Sequence, residues 1–250
     1  MSGLPNSCND DQDMGTFRVR DWKELRQVLS TARDNDTNWQ KAANWFADRL
    51  RQRYLEPIED IPKDSNGPGF TIVTVLCVLI EHLAALEEGK IWDDRGNHSP
   101  YHPFDYYKSA KFYIPFLERA WIFDGYFFWE RQEPAPFSAE DFYKNVRCAL
   151  AHEACTKNSW RINTIACGHS NPNRQLIVLE KNGTKRIYRD LLVERIGEYL
   201  DDWLRRMSKE RKLQHGLARK LDSLCAIEPD PNSGHSPYTW WQNPNSESSA

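Results

Sequence analysis

The stretch FYKNVRCALAHEACTKNSWRI, residues 142–162, contains the change of period on which the fold turns. Ser138 and Asp141 precede it as an S-x-x-D start signal. The serine oxygen can accept a bond from a first-turn amide, and the acid sits at the positive end of the helix. Phe142, Val146, Ala149 and Leu150 recur at helical spacing, which predicts a helix ending near Cys155. Beyond it the period falls to two. Residues 159–166, 175–180 and 185–189 alternate as strands do, and Asn182-Gly183 is a hairpin turn. A small antiparallel β-meander, 159–189, is therefore expected as an insertion in a mainly α chain, ahead of its last helix.

Upstream, Trp22, Leu25, Val28, Leu29 and Ala32 fall on one helical face, and Trp39, Ala43, Phe46, Leu50 and Tyr54 on another. Residues 56–69 carry three prolines and two glycines and read as a connection. The apolar run FTIVTVLCVLIEHLAAL, 70–86, opens with β-branched residues, but its length favours a helix that Gly89 ends. It contains Glu81 and His82 and falls short of the usual spanning length, so a buried central helix is expected and no membrane. Residues 91–103 read as a polar loop, and 104–119 as an aromatic-rich helix carrying Pro115.

Downstream, Asp190 can cap one long last helix whose inner stripe is Leu192, Ile196, Tyr199, Trp203 and Met207, continued by Leu213, Leu217, Leu221 and Leu224. Residues 1–16 lack apolar periodicity and read as a loose arm. Residues 226–250 read as a disordered tail with one docking point at Trp240-Trp241, which leaves 17–225 as the helical domain.

The chain has 250 residues and a net charge of −3, with 33 Lys and Arg against 36 Asp and Glu, which excludes coating nucleic acid by overall charge. The average conceals an asymmetry. Residues 181–220 hold 12 Lys and Arg against 6 acids, a local +6 against −9 elsewhere. Six cysteines without a secretory leader read as reduced thiols in a cytoplasmic protein. No P-loop, dinucleotide fingerprint, serine elbow or H-E-x-x-H occurs, so kinase, dehydrogenase, esterase and zinc-protease chemistry fall away.

Arg147 and His152, with four residues between them, stand at the end of the 138–155 helix. The pair, with an aromatic-Tyr-Lys-x-Val-Arg before it and Thr-Lys-Asn-x-Trp after it, resembles the Arg-and-His motif of the HEPN superfamily (higher eukaryotes and prokaryotes nucleotide-binding). These are all-α domains that include many ribonucleases of bacterial toxin and antiphage systems. The resemblance implies a HEPN-like helical bundle and a metal-independent endoribonuclease without cofactor, leaving a 2′,3′-cyclic phosphate. In nuclease members the residue after the arginine is usually polar; here it is Cys148.

The chemistry suits the residues, since a histidine can move the 2′-OH proton and a permanently charged arginine can stabilise the phosphorane. At about 100° per residue, positions five apart point roughly 140° away from each other. Two copies lining one cleft, as superfamily members commonly arrange, would resolve this, so a homodimer is expected. Lys157 and Asn158, past the helix end, and Arg205, Arg206 and Lys209, on the last helix, are candidate RNA contacts. Glu81, Cys148 and Glu153 are candidate cleft supports. An antitoxin or another regulatory protein is a further expected partner. Two alternatives stand beside this: a non-catalytic module binding RNA, a nucleotide or a protein, and a zinc site from Cys148, His152, Cys155 and Cys167.

Overall fold

The computed structural model describes residues 9–31, 36–62, 67–93, 104–127, 136–165, 171–227 and 241. The chain is mainly α and divides into two compact units: Met1–Leu50 with Ala85–Lys108 and Asp202–Ala250, and Arg51–Ala84 with Ser109–Asp201.

In the first unit, α1 (Val19–Thr31) packs on α2 (Asp36–Leu50), and Trp22, Leu25, Leu29, Trp39, Ala43 and Phe46 are buried as their spacing predicts. The arm expected to be loose through residue 16 is folded back from residue 9. Asp13 bridges Arg18, Met14 and Phe17 are buried, and Phe17 stacks on Trp45. Apolar side chains too few to show periodicity suffice to anchor a short segment on a preformed surface.

The last helix is two helices, α8 (Arg189–Met207) and α9 (Arg211–Leu224). The break at Ser208-Lys209-Glu210 has Glu210 extended and the Glu210 amide donating to the Arg206 carbonyl, while Gln214 Nε2 donates to the Met207 carbonyl. A side-chain donor thus takes one of the carbonyls that a continuing helix would satisfy.

The start of α9 lies against the turn that follows α4 (Gly69–Glu87). Gly89 there has φ +62, and a Cβ on Gly216 would lie 2.9 Å from both Gly89 Cα and the Leu86 oxygen. Gly216→Ala is accordingly expected to destabilise the protein by about 1–3 kcal/mol in denaturant titrations, because backbone cannot yield. Helix propensity alone predicts a gain of about 1 kcal/mol. A measured gain would show that the close approach does not exist in solution.

Trp241, within the expected tail, is buried between Trp22 and Trp39, with Nε1 donating to Asp222. Trp240 and the rest of the tail beyond residue 227 lie outside the described residues. Also in this unit, β1 (Ile91–Trp92) and β2 (Asp105–Tyr106) pair in parallel. The aromatic helix expected over 104–119 therefore begins later, as α5 (Ala110–Arg119), because Phe104 and Tyr106 carbonyls accept from Ile91 and Asp93 amides in the ladder.

In the second unit, α4 is long and apolar enough to cross a membrane by composition, and 61% of that apolar window is buried in the protein, as a core helix is. A π-helical turn, Arg51–Leu55, leads into the short α3 (Glu56–Glu59). The expected 138–155 helix is present in three pieces: α6 (Ala139–Phe142), a π-helical turn (Tyr143–Cys148) and α7 (Ala149–Glu153).

The strands β3 (Trp160–Asn163), β4 (Ile177–Leu179) and β5 (Lys185–Tyr188) follow, but not as an antiparallel meander. The order is β3-β5-β4, with β3 parallel to β5 and β4 antiparallel to it. The β4–β5 hairpin closes over Asn182-Gly183 as predicted, with Leu179 facing Lys185. The other edge of β5 is then open, and β3 takes it.

Candidate functional site

Ser138 Oγ accepts from the Asp141 amide, so the start signal operates as read. Phe142 and Val146 are buried. Phe142 continues a chain of rings from Phe116 through Phe123 and Phe127 to Trp160, at centroid separations of 5.3–6.3 Å. Those anchors fix the inner face of the Tyr143–Cys148 turn. A π turn replaces i→i−4 bonds by i→i−5 bonds and re-aims the side chains it carries, which is why such turns recur at functional sites.

Here the re-aimed side chain is Arg147. Its Nη2 donates to Glu81 Oε2 at 2.7 Å, and its guanidinium stands 5.7 Å from the Tyr143 ring centroid. Both partners are largely buried, with side-chain exposures of 21% and 12%. Burial alone would lower the Arg147 pKa, but the bond and charge of Glu81 outweigh it, so the guanidinium is held charged even more firmly than usual.

Around the pair, Tyr143 Oη shares a 2.9 Å hydrogen bond with Ser109 Oγ, and Tyr54 Oη shares one of 2.9 Å with His82 Nε2. The Tyr113 hydroxyl is buried with no hydrogen bond of good geometry among the described residues, beside the Cys77 thiol, which burial pushes up to about 12. Cys77 is thus an inert core thiol. Cys148 is half-buried next to Tyr143, and burial raises the Tyr143 hydroxyl above its ordinary range.

His152 is exposed in the last turn of α7, and no hydrogen bond, ion pair or ring contact joins it to any described residue, Arg147 included. The helix ends there because Ala154 turns left-handed, with φ 52. Asn158 and Ser159 are left-handed as well, at φ 48 and 63. Three such L-residues within six positions cost conformational energy that the surroundings must supply.

The surroundings are Asp141. Its carboxylate accepts from Asn145 Nδ2 (2.8 Å), Asn158 Nδ2 (2.5 Å), Trp160 Nε1 (2.8 Å) and Lys185 Nζ (2.6 Å). Lys157 N donates to the Asn145 carbonyl, and Thr156 Oγ1 to that of Trp160. The loop after His152 is therefore tied to the helix before it and to β5. Burial pushes the Asp141 pKa up, but the bonds from Lys185, Trp160 and Asn158 prevail and hold it below the usual carboxylate value. The sign follows. A depressed folded pKa contributes stability that is full above the unfolded value of about 3.9 and is lost as pH falls through the folded value. Asp141→Asn is expected to flatten the acid limb of the stability curve below about pH 4. An unchanged limb would mean that the carboxylate carries no such weight.

The structure thus brings Arg147, Glu81 and Cys148 together and leaves His152 apart on the surface. Of the remaining predicted residues, Asn158 is spent on Asp141, and Lys157 pairs with Glu153. Arg205, Arg206 and Lys209 belong to the other unit. There Arg205 pairs with Asp202, Arg206 with Glu87, Asp202 and Glu210, and Lys209 is exposed.

For the zinc alternative, Cys167 lies outside the described residues, and among the described residues no three His, Cys, Asp or Glu are placed to hold a metal. Cys148 and Cys155 are half-buried and carry no disulfide. Sequence reading missed Asp141 as a hub, having assigned it only to the helix start, and missed Tyr143, Ser109 and Lys185. The spacing Asp141–Asn145 at i, i+4 was the available signal. No protein-family model, no curated protein and no solved structure matches the chain.

Proposed function

We propose that the chain is a HEPN-like helical protein of the cytoplasm. It cleaves RNA without a metal as a symmetric homodimer, in a toxin or antiphage system restrained by an antitoxin or another regulatory protein. The observation that carries this reading is His152. It is an exposed imidazole without a partner among the described residues, at the end of the same helix that presents a charged arginine braced by Glu81. Among the described residues His152 neither bonds the helix end nor packs in the core, which leaves its imidazole open to a substrate.

In the reaction His152 takes the proton of the ribose 2′-OH. The 2′ oxygen then bonds to the adjacent phosphorus, and the bond to the 5′ oxygen breaks, leaving a 2′,3′-cyclic phosphate and a 5′-hydroxyl. A proton returned by an imidazole completes the 5′-hydroxyl. Arg147 supports the phosphorane charge. Because one chain keeps Arg147 and His152 apart, the cleft is completed by a second copy.

A second reading has its own observation. Glu81 already neutralises Arg147, as suits a module that binds RNA or a protein without cutting it. Incubating wild type, Arg147→Ala and His152→Ala with total and transfer RNA in EDTA decides between them. Cleavage by wild type alone supports the nuclease. No cleavage by wild type, or equal cleavage by all three, contradicts it.

A further inference from the structure

The second unit carries a groove of about 560 Å³ that none of the chemistry above uses. Its floor is apolar, formed by Leu55, Ile58, Ile72 and Val193 from α3 and its preceding turn, α4 and α8. The size is that of a pocket for a small organic ligand, and such pockets pair apolar walls with a few placed polar groups.

Gly197 lies in the lining, inside α8, where a glycine costs helix stability. A Cβ added there would meet no atom outside its own helix turn within 4 Å, so no packing contact among the described residues requires the glycine. What the missing side chain provides is open space above the helix.

The polar lining is almost wholly acidic. Glu59, Asp190, Glu194, Glu198 and Asp201 contribute carboxylates, against Arg189 as the single basic residue. Arg174 pairs with Glu194, and Arg51 with Asp201. Glu59 and Glu198 have no ion pair among the described residues.

Asp190 adds to the negative charge of this wall. Its Oδ2 accepts from the Ile165 amide at 2.9 Å and from Thr164 Oγ1 at 3.3 Å, while Oδ1 is buried with no hydrogen bond from any described residue. That oxygen is closed off from solvent, so it adds to the negative potential of the wall, and the carboxylates that a cationic N–H can reach are the exposed Glu59 and Glu198. An anion such as a phosphate is repelled by the same rim.

We propose that this groove is a binding site for a small amphipathic amine, an ammonium group on an apolar body. The ammonium pairs with Glu59 and Glu198, and the apolar part lies on the floor over Gly197.

The test uses the full chain, calorimetry and thermal melts, with tryptamine as the probe and indole-3-acetate as its anionic counterpart. Tryptamine is expected to bind and raise the melting temperature, and indole-3-acetate to do neither. Glu198→Gln should weaken tryptamine about tenfold, the usual worth of a charge-assisted bond. Gly197→Leu should abolish binding while melting no lower than wild type, because it fills open space and improves helix propensity. Equal binding of amine and acid, absence of tryptamine binding at millimolar concentration, or full binding by Gly197→Leu would each overturn the assignment. None of these outcomes depends on RNA cleavage.

Discussion

Asp222→Ala is expected to cost about 3–5 kcal/mol of stability and on the order of 10 °C in melting temperature. Asp222 is completely buried in α9, and burial pushes its pKa up, against the pull of Arg26. Arg26, itself 4% exposed, donates through Nε at 2.7 Å and Nη2 at 3.3 Å. Trp22 and Trp241 donate their indole N–H groups at 2.9 Å. Removing the carboxylate leaves a buried guanidinium without that counter-charge and two indole donors without that acceptor, and the asymmetry between a made and a broken buried pair sets the size of the loss.

The same change loosens residue 241, whose carbonyl is held by Arg219 Nη1 at 2.7 Å and whose ring lies under the Arg26 guanidinium. Asp222→Asn keeps the shape and one acceptor and should cost less. Denaturant midpoints of the two variants check the order, and a loss under 1 kcal/mol for Asp222→Ala would mean that the network does not form.

His152→Ala is expected to reduce RNA cleavage by about 10²- to 10⁴-fold, the usual contribution of a positioned proton-transfer group, with no change in melting temperature. The combination is informative because His152 is exposed and packs against nothing described. Arg147→Ala is expected to abolish cleavage too, but it also leaves Glu81 largely buried without that cation, so its melting temperature should fall. Loss of cleavage with unchanged melting in the histidine variant alone separates chemistry from folding. Equal activity of His152→Ala and wild type would remove the imidazole from the reaction.

Periodicity exposed the helices whose buried faces are wide: α1, α2, α4 and the two halves of the last helical segment. The Ser138 start was legible because capping is local. The break between Met207 and Arg211 was not, since Ser-Lys-Glu contains neither glycine nor proline and the deciding bond comes from Gln214, seven residues on from Met207. The parallel seat of β3 against β5 was equally hidden, because a hairpin turn specifies the pairing of its own two strands and says nothing of the third.

Within the candidate site, Arg147 and Glu81 are 66 residues apart in sequence, and their pairing was legible only as a demand, an acid and a base each needing a partner on an apolar helix face. The π turn that carries Arg147 has no sequence mark in Tyr143–Cys148, and the ring contacts of Phe142 that anchor its start come from residues distant in sequence.

End-group analysis of RNA treated with the purified full chain in EDTA bears most directly on the reaction proposed for Arg147 and His152. Fragments carrying a 2′,3′-cyclic phosphate and a 5′-hydroxyl, formed by wild type and missing with His152→Ala, are the predicted result. Intact RNA, or fragments ending in a 5′-phosphate, would contradict it.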